Sequence, residues 1–528
     1  MRSHVADTDR NSTLQALQSG PTLDAVIIGG GATGLGIALD AALRGHKVAL
    51  VERGDFGQGT SSRSTKLVHG GVRYLAQGNF GLVYEALRER ACLLANAPHI
   101  AQPLSFVMPT FKLWQLPFYG AGLMAYDVLA GKAGIGATRW MGPARVREKL
   151  PTVRDQGLLG GISYWDGQFD DARLAVTLAR TARHHGALMV NHCAALSVLS
   201  DGRKVSGVVL VDRESGCEFS VRSRCVINAT GVWVDQLLNA GAPDQRRPMV
   251  APSQGVHLSF EQSLLPGTSA LFWPRTSDGR VLFAIPWLGK TIVGTTDTGR
   301  TDVPAEPLPL PGEIDYLLKE CAAFFGRPPR RQDILSAWVG LRPLVNPAAM
   351  EDSKDTKSIS REHTVRLRPD GLVTVTGGKW TTYRSMAQDV LDRCCAAALL
   401  PTAGPCVTAT TPMLGAADGA VGALTGPAGI HSYGSEAALV ASLPGAAREL
   451  APGLTEAMVR FAVRYEFART VEDVLARRSR LLFLDARTAA ENINAVADVM
   501  AAETAAPSGH IAFRALAAQY LAPSAQAH

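Results

Sequence analysis

The sequence predicts an α/β protein with three parts: a Rossmann-like domain, an antiparallel sheet interleaved with it along the chain, and an α-helical C-terminal domain. Three observations carry this prediction. A strand, glycine-rich turn, helix and strand pattern lies within residues 24–52, short strand patterns recur as far as residue 376, and helical periodicity follows residue 455. The 528 residues fit about three domains at ~150 residues each.

Charge and composition exclude several classes of protein. The 53 basic and 47 acidic side chains leave a net charge of +6, which is too dilute for a nucleic-acid-binding surface. An apolar fraction of 46% is typical of a globular protein. The eight cysteines form no CxxC pair and no zinc spacing, so we expect a reducing compartment, no disulfide framework and no metal site.

The N-terminal residues do not resemble a secretion signal. Residues 1–23 are polar and include Asp7, Asp9 and Arg10, where a signal would need ~7–15 apolar residues. We expect a flexible tail there. The longest charge-free run, residues 394–417, contains three prolines and cannot form the ~20-residue apolar helix that spans a bilayer, so we expect no transmembrane segment.

The βαβ pattern begins with the apolar run Asp24–Ile28, which ends in the turn Gly29-Gly-Gly-Ala-Thr-Gly34. Residues 35–43 have helical spacing, and the second strand, residues 47–51, ends at Glu52. The first glycine permits a tight turn, the third lets the backbone approach a pyrophosphate, and the last lets helix and strand pack closely. The carboxylate of Glu52 can accept hydrogen bonds from a ribose diol. This unit predicts a dinucleotide site.

Two later segments favour FAD over NAD. Residues 57–66 form a hydroxyl-rich loop, followed by Leu67-Val-His-Gly-Gly-Val-Arg-Tyr-Leu75. Small residues and hydrogen-bond donors of this kind let the chain return over a flavin. A second return is predicted where the strand Arg224–Asn228 ends in Ala229-Thr-Gly231, shortly before Trp233.

Together these motifs resemble the FAD-dependent glycerol-3-phosphate dehydrogenases of the respiratory type, within the D-amino-acid oxidase-like fold group. The resemblance covers about residues 24–384 and, more loosely, a helical domain to about residue 484. The matching motifs are Gly29–Gly34, Thr60–Lys66 with His69–Tyr74, Asp170–Leu174, Ala229–Gly231, Gly340–Pro343 and Gly377–Arg384. The resemblance implies FAD as cofactor, sn-glycerol 3-phosphate as substrate, dihydroxyacetone phosphate as product and a membrane quinone as electron acceptor.

The motifs and the resemblance together assign the cofactor contacts to four segments. The residues expected to contact FAD are Gly29, Gly31, Ala32, Thr33, Gly34 and Glu52, then Thr60, Ser61, Ser62, Lys66, Leu67, His69 and Gly70, then Ala229, Thr230, Gly231 and Trp233, and finally Gly378, Lys379, Thr381 and Thr382.

A phosphorylated substrate requires cations, and guanidinium and ammonium groups both bind phosphate. Lys379 is notable because it is the only lysine after residue 357, in a chain that otherwise favours arginine. The resemblance implies substrate contacts from five residues, of which Arg342 and Lys379 are also expected to take part in catalysis. The five are Arg73, Tyr74, Arg342, Arg361 and Lys379.

Two histidines are alternative general bases for removal of the hydroxyl proton. The resemblance favours His257, which lies on a predicted strand. His69 is the other candidate, and its alternative role is to orient the flavin ring. The family pattern before His257 is altered, because Gln254 and Val256 stand at neighbouring positions.

We predict that the chain alternates between the two sheets. Strand patterns at 190–199, 205–212 and 219–228 are assigned to the cofactor sheet, and those at 255–260, 281–286, 291–295 and 365–376 to the antiparallel sheet. The predicted FAD-binding segments are about 24–110, 150–245 and 340–399, the substrate segments are about 111–149 and 246–339, and a linker and helical C-terminal domain fill 400–528.

Two further segments are ambiguous. The six arginines between residues 460 and 480 indicate a solvated or intramolecularly paired helix face, or alternatively a partner or membrane surface. Residues 113–126 are uncharged, contain four aromatic residues and have basic flanks, so they fit a membrane interface or a buried segment beneath the substrate lid. The membrane-interface interpretation of residues 113–126 implies a cytoplasmic protein that is peripheral on the cytoplasmic membrane. Whether the chain forms a homodimer stays open.

We retain three alternatives to the function that the resemblance implies. The first is a glycerol-3-phosphate oxidase that uses oxygen, and the second is a flavin amine or amino-acid oxidase. The third is a non-catalytic dinucleotide-binding protein, which the histidines and cations at the flavin-facing motifs disfavour.

Overall fold

The computed structural model describes residues 9–75, 78–238, 248–346, 363–416, 422–506 and 509–521. The helices are α1 (Arg10–Ser19), α2 (Ala32–Leu43), α3 (Val72–Leu75), α4 (Phe80–Asn96), α5 (Gln115–Ala130), α6 (Pro143–Lys149), α7 (Asp171–His184), α8 (Val234–Leu238), α9 (Glu313–Phe324), α10 (Tyr383–Ala396), α11 (Ala437–Ala441), α12 (Glu456–Tyr465), α13 (Leu481–Leu484), α14 (Ala486–Glu491), α15 (Ile493–Ala501) and α16 (His510–Tyr520). The strands are β1 (Leu23–Ile28), β2 (Val48–Val51), β3 (Leu67–Val68), β4 (Ala101–Thr110), β5 (Arg139–Met141), β6 (Gly160–Phe169), β7 (Leu188–Val190), β8 (Cys193–Ser200), β9 (Val205–Asp212), β10 (Glu218–Asn228), β11 (Val250–Glu261), β12 (Ser269–Trp273), β13 (Leu282–Trp287), β14 (Lys290–Gly294), β15 (Thr298–Gly299), β16 (Ser336–Val345), β17 (His363–Leu367), β18 (Leu372–Gly377), β19 (Glu449–Ala451) and β20 (Leu454–Thr455).

The first sheet has the order β17-β18-β10-β1-β2-β7, with β9 and β8 continuing from β10. Its centre is parallel, because β1 pairs in parallel with both β10 and β2. Helices α2, α7 and α10 pack together beside it in one apolar cluster. Burial on both faces explains why β1 and β2 are almost continuously apolar. The predicted Rossmann-like unit is confirmed.

The second sheet has the order β15-β11-β14-β13-β12-β4-β6-β3, with β16 on β11 and β5 on β6. It is mostly antiparallel, as predicted. The pattern at 365–376, which was assigned to this sheet, instead forms β17 and β18 of the first sheet, where β18 pairs with β10. Strands β4 and β6 and the last half of β16 belong to the second sheet, although their residues were assigned to the FAD-binding segments. That assignment is wrong at these strands because a short apolar run shows that a strand is buried, not which of two sheets it joins.

The N-terminal tail is ordered over residues 10–19, where the sequence led us to expect flexibility. Asp9 caps α1 by accepting a hydrogen bond from the backbone N–H of Asn11. Arg10 pairs with the carboxylate of Asp212 at 2.5 Å, and Leu17 packs into the apolar cluster behind the first sheet. Two anchors that are distant in sequence therefore fix this helix.

The arginines of the C-terminal domain are paired within the chain, as one of the two interpretations predicted. Arg477 and Arg478 both bind the carboxylate of Asp55, and Arg480 binds Asp171 at 3.0 Å. All three guanidinium groups are buried. A buried charge needs a partner, so this domain is joined to the FAD-binding domain through ion pairs as well as apolar contacts.

Candidate active site

The glycine-rich turn between β1 and α2 lies against the turn that follows β10. The two strands are parallel neighbours, and the N–H of Ala229 donates to the carbonyl of Ile28 at 2.9 Å. Gly29 has φ +112°, and a Cβ there would lie 2.5 Å from the carbonyl oxygen of Ala229. A Cβ on Gly34 would lie 2.0 Å from the carbonyl oxygen of Gly29. The sequence argument for these glycines therefore holds in the structure.

Helix α2 begins at Ala32 with Gly31 at its N-cap, so no side chain caps it. The N–H of Ala32 donates to Ser61 Oγ at 2.9 Å, which places the hydroxyl-rich loop over the helix N-terminus. The carboxylate of Glu52 accepts hydrogen bonds from Gly30 N and Gly54 N at 2.7 and 2.8 Å. Thr33 lies in the first turn of α2. A helix N-terminus with an adjacent hydroxyl favours a phosphate group, and an acid at the end of β2 favours a ribose.

The hydroxyl-rich loop is held from two directions. Thr60 Oγ1 donates to the carbonyl of Leu341 on β16 at 2.7 Å, and Trp380 Nε1 donates to the carbonyl of Ser61 at 2.8 Å. On the β10 side, Thr230 Oγ1 donates to Asn228 Oδ1 at 2.7 Å. Trp233 stacks with a guanidinium group of the loop after β2, 4.3 Å away. The segments predicted to contact FAD therefore converge on one cradle.

Lys66 has a buried side chain that is paired within the protein. Its ammonium is completely buried and donates to Asp171 at 2.7 Å and to the carbonyl of Ser62 at 2.8 Å. Burial lowers the pKa of Lys66 to about 7. Leu67 is likewise buried, in β3 beside Gln168. Both side chains are therefore packed within the protein, and the contact of these two residues with FAD stays a prediction.

Residues after β18 come next to the His69 motif. Thr381 Oγ1 accepts a hydrogen bond from the backbone N–H of His69 at 3.2 Å. The ammonium of Lys379 lies 4.0 Å from the centre of the Tyr74 ring. Gly378 has φ +76°, and a Cβ there would lie 2.2 Å from the sulfur of Met386. The fold thus brings together two motifs that lie about 300 residues apart.

Arg342 and His257 lie on the adjacent strands β16 and β11. Arg342 Nη1 donates to the carbonyl of Gln254 at 3.3 Å and to Asp297 at 3.1 Å, and its Nη2 donates to the carbonyl of Thr296 at 3.1 Å. Gln254, which departs from the family pattern, therefore helps to hold this guanidinium through its backbone.

His257 is buried, with Nε2 2.9 Å from Thr65 Oγ1 and its ring stacked on Trp338. Burial, together with the nearby charges of Lys66 and Arg342, holds the pKa of His257 well below its usual range. The imidazole is therefore neutral near pH 7, which is the state that a proton acceptor needs.

The structure describes only some of the remaining predicted site residues. Arg361 lies outside the described residues, and only the backbone of Arg73, in α3, is described. Thr382 Oγ1 donates to the carbonyl of Lys379 at 3.4 Å, within the same motif. Gly70 donates its N–H to the hydroxyl of Tyr126 at 2.7 Å.

Sequence reasoning missed Thr65, Trp338 and Tyr126 as parts of this site. Thr65 lies in the motif Thr60–Lys66 and Tyr126 in the aromatic segment 113–126, but neither had an assigned role, and Trp338 lies in no motif. Asp171 was part of a matching motif, Asp170–Leu174, but had no assigned role. The structure gives it one, because its carboxylate accepts hydrogen bonds from Lys66, from the N–H and hydroxyl of Ser64 in the loop, and from Arg480 of the C-terminal domain.

The residues of the cradle fit FAD. Glycines stand where a Cβ would fill the turn, the N-terminus of α2 is open to a phosphate, and an acid closes the second strand. FAD would be held by Gly29–Gly34, Glu52, the loop from Thr60 and the turn Ala229–Gly231.

Comparison with known proteins agrees with this assignment. Residues 24–388 match the family model described as FAD dependent oxidoreductase, and residues 406–506 match the C-terminal domain of alpha-glycerophosphate oxidase. A probable mitochondrial glycerol-3-phosphate dehydrogenase of Caenorhabditis elegans is 40% identical over 95% of this chain and 73% of that protein. The human mitochondrial glycerol-3-phosphate dehydrogenase is 39% identical over 94% of this chain and 72% of its own length.

Solved structures match as well. The glycerol-3-phosphate dehydrogenase from Bacillus halodurans, complexed with FAD, superposes with a TM-score of 0.76 at 29% identity, over 98% of this chain and 99% of that one. The L-alpha-glycerophosphate oxidase from Mycoplasma pneumoniae, with a TM-score of 0.54 at 17% identity over 70% of this chain and 94% of that one, shares the fold. FAD is the cofactor of this chain, which belongs to the family of FAD-dependent glycerol-3-phosphate dehydrogenases.

Proposed function

We propose that this protein oxidises sn-glycerol 3-phosphate to dihydroxyacetone phosphate and passes the electrons to a membrane quinone. One observation carries the substrate assignment. The ammonium of Lys379 lies against Tyr74 and beside the His69 motif, next to the FAD cradle. An ammonium at this position suits a phosphate group, and the names of the relatives agree with that substrate.

The chain's own residues supply binding and proton transfer. FAD, when bound, would supply the hydride acceptor for the secondary alcohol carbon. Arg342 and Lys379 bind the substrate phosphate through charge-assisted hydrogen bonds. Neutral His257 takes the hydroxyl proton, so that loss of a proton and a hydride converts the alcohol to a ketone.

The outward face of α5 supports the membrane part of the proposal. No helix in the described ranges has both the length and the apolar content needed to cross a bilayer. Several large apolar side chains are nevertheless exposed on or next to α5, and exposed lysines, Lys112 and Lys132, stand near its two ends. The apolar residues of this face are Leu113 (78% exposed), Trp114, Phe118 (64%), Met124 and Val128 (80%).

Such a face fits a peripheral site on an anionic lipid surface, where apolar side chains enter the interface and lysines meet headgroups. The alternative of a wholly buried segment does not fit these exposed side chains. We therefore propose a peripheral position on the cytoplasmic membrane, from which a quinone in the bilayer is within reach of the protein.

Anaerobic reduction of the bound flavin tests the substrate. sn-Glycerol 3-phosphate is expected to bleach the yellow protein, whereas glycerol and sn-glycerol 1-phosphate serve as matched controls for the phosphate and for the stereocentre. A flavin that stays oxidised with glycerol 3-phosphate would overturn the substrate assignment.

The two catalytic rivals have their own readouts. Hydrogen peroxide formed in stoichiometry with substrate in air would indicate an oxidase. Bleaching by an amino acid or amine, without competition from inorganic phosphate, would indicate an amine oxidase. Reduced enzyme that transfers electrons to a soluble quinone analogue faster than to oxygen supports the quinone proposal.

A further inference from the structure

Thr65 makes a polar contact to the proposed base, although no motif assigned it a role. Its Oγ1 lies 2.9 Å from Nε2 of His257. The His257 ring is only 3% exposed and stacks on Trp338, with ring centroids 5.4 Å apart at an interplanar angle of 12°. Its other nitrogen, Nδ1, is buried and has no hydrogen-bond partner among the described residues. Thr65 is thus the hydrogen-bonding partner that fixes the ring.

The residues on both sides of Thr65 are held by one carboxylate. Asp171 accepts hydrogen bonds from the backbone N–H and the hydroxyl of Ser64, at 3.0 and 2.7 Å. The same carboxylate accepts from the ammonium of Lys66 at 2.7 Å. Lys66 also has a left-handed backbone, with φ +64°, which few side chains adopt without support. These contacts of the two neighbouring residues therefore fix the position of the Thr65 hydroxyl.

The C-terminal domain completes this arrangement. Arg480, which is buried, donates to Asp171 at 3.0 Å and to the carbonyl of Ser62 at 2.7 Å. A residue of the helical domain therefore helps to hold the loop that carries Thr65. This contact gives the C-terminal domain a role at the site that its sequence did not indicate.

The surroundings of the ring determine which nitrogen carries the proton. A neutral imidazole has one N–H donor and one bare acceptor. Buried N–H groups are rarely left without an acceptor, so the proton belongs on Nε2, where Thr65 Oγ1 accepts it, and Nδ1 keeps its lone pair. Positive charges next to the ring keep it neutral in the resting protein. The charged groups around the ring and its supporting loop are Lys66, Arg342, Asp171 and Arg480.

We propose that Thr65 is a positioning residue, which accepts the Nε2 proton of His257 and so fixes the tautomer and the orientation of the proposed base. This inference rests on the proposed function of His257 as general base. In the reaction, the hydroxyl proton moves to the His257 imidazole while the electron pair of the C–H bond leaves as hydride to FAD. The ketone forms, and the resulting imidazolium later returns its proton to solvent.

Thr65→Val and Thr65→Ser form a matched pair, because valine removes the hydroxyl at nearly constant shape and serine keeps it. We expect Thr65→Val to slow the limiting rate of anaerobic flavin reduction at least about tenfold, as part of the ~10²–10⁴-fold of base catalysis, and to alter its pH profile. Thr65→Ser should stay within about threefold of the unmodified protein. Rates are measured per bound flavin, so a loss of FAD does not obscure them.

Two kinetic results would overturn the inference. One is a Thr65→Val variant with an unchanged rate and pH profile, and the other is a Thr65→Ser variant as slow as Thr65→Val. If glycerol 3-phosphate reduces none of these proteins, including the unmodified one, the failure lies with the proposed function.

The proton position has a separate readout that needs no turnover. The NMR spectrum of protein labelled with ¹⁵N-histidine, with the His257 signals identified by their loss in His257→Gln, reports which ring nitrogen is protonated. We expect the Nε2–H form in the unmodified protein and in Thr65→Ser, and a shifted tautomer population in Thr65→Val. A proton on Nδ1 in the unmodified protein would contradict the inference.

Discussion

The hydroxyl of Tyr126 accepts a hydrogen bond from the backbone N–H of Gly70 at 2.7 Å and donates to Asp166 at 2.7 Å. Arg90 pairs with the same carboxylate at 2.9 Å, and all three side chains are buried. Tyr126 lies on α5, whose opposite face carries the exposed apolar side chains. The residue therefore connects the proposed membrane helix with the loop that carries His69.

Tyr126→Phe should weaken substrate binding. The change leaves the N–H of Gly70 without its acceptor, so substrate binding must order the loop that carries His69 at a cost of about 1–1.5 kcal/mol, which corresponds to roughly a five- to tenfold rise in the substrate Kd. Substrate titration of flavin reduction measures this Kd. Tyr164→Phe, at an equally buried position on β6, is the matched control. An unchanged Kd in Tyr126→Phe would show that the loop does not depend on this hydroxyl.

His257→Gln and His69→Gln distinguish the two candidate bases. We expect His257→Gln to slow flavin reduction by roughly 10²–10⁴-fold, because the buried neutral imidazole is the group suited to take the proton. His69→Gln should have a smaller effect, because the alternative role of His69 is to orient the flavin ring and not to take the proton. Stopped-flow reduction at saturating substrate measures both rates. The reverse order of effects would assign the proton to His69.

The sequence predicted the cofactor cradle better than the rest of the site, and the reason is physical. The glycines of the β1–α2 turn and Glu52 act within one βαβ unit, so their spacing along the chain reports their geometry. Thr65 and Tyr126 act through hydrogen bonds to residues on other elements, His257 and Gly70. A single hydroxyl side chain leaves no periodic signal, and only the fold shows what it contacts.

Ion pairs between residues distant in the chain also could not be predicted from the sequence. The arginines after residue 460 indicated a charged helix face, but their spacing did not identify Asp55 or Asp171 as partners. The helix at residues 10–19 depends on the same kind of distant contact, between Arg10 and Asp212. The polar residues of this segment suggested a flexible tail, because the sequence does not show that Arg10 pairs with Asp212.

Lys379→Ala should weaken substrate binding more than it slows the chemical step. A hydrogen bond to a charged group contributes about 1.5–3 kcal/mol, so the substrate Kd should rise by roughly 10–150-fold while the limiting reduction rate changes less. Lys379→Arg keeps the charge and should recover part of the affinity. Competition by inorganic phosphate should weaken in parallel with substrate affinity. A large loss of limiting rate with unchanged Kd would instead assign Lys379 to the chemical step.

His99 should make the protein sensitive to acid. Burial, with the nearby charges of Arg173 and Arg180, lowers the pKa of His99 to about 4. Below the unfolded-state pKa of ~6.5 the unfolded chain takes up a proton that the folded protein does not, so stability falls as pH drops from about 6.5 to about 4. His99→Gln should therefore lose less Tm between about pH 7.5 and about pH 5. His510→Gln, at an exposed position, is the control, and an equal loss of Tm in His99→Gln and the unmodified protein would contradict the assignment.

The exposed face of α5 should determine binding to lipid. Phe118→Ser combined with Val128→Ser removes two large exposed apolar side chains, each worth about 1.5–3 kcal/mol on burial, so partition onto anionic liposomes should fall at least about tenfold. Flotation at low and high salt measures binding and separates the apolar contribution from that of the lysines. Ile511→Ser, at a similarly exposed position on α16, is the matched control. Flavin reduction by glycerol 3-phosphate should persist in both variants, because the outward face of α5 does not contact the cradle. A double variant that floats like the unmodified protein would place lipid binding elsewhere on the molecule.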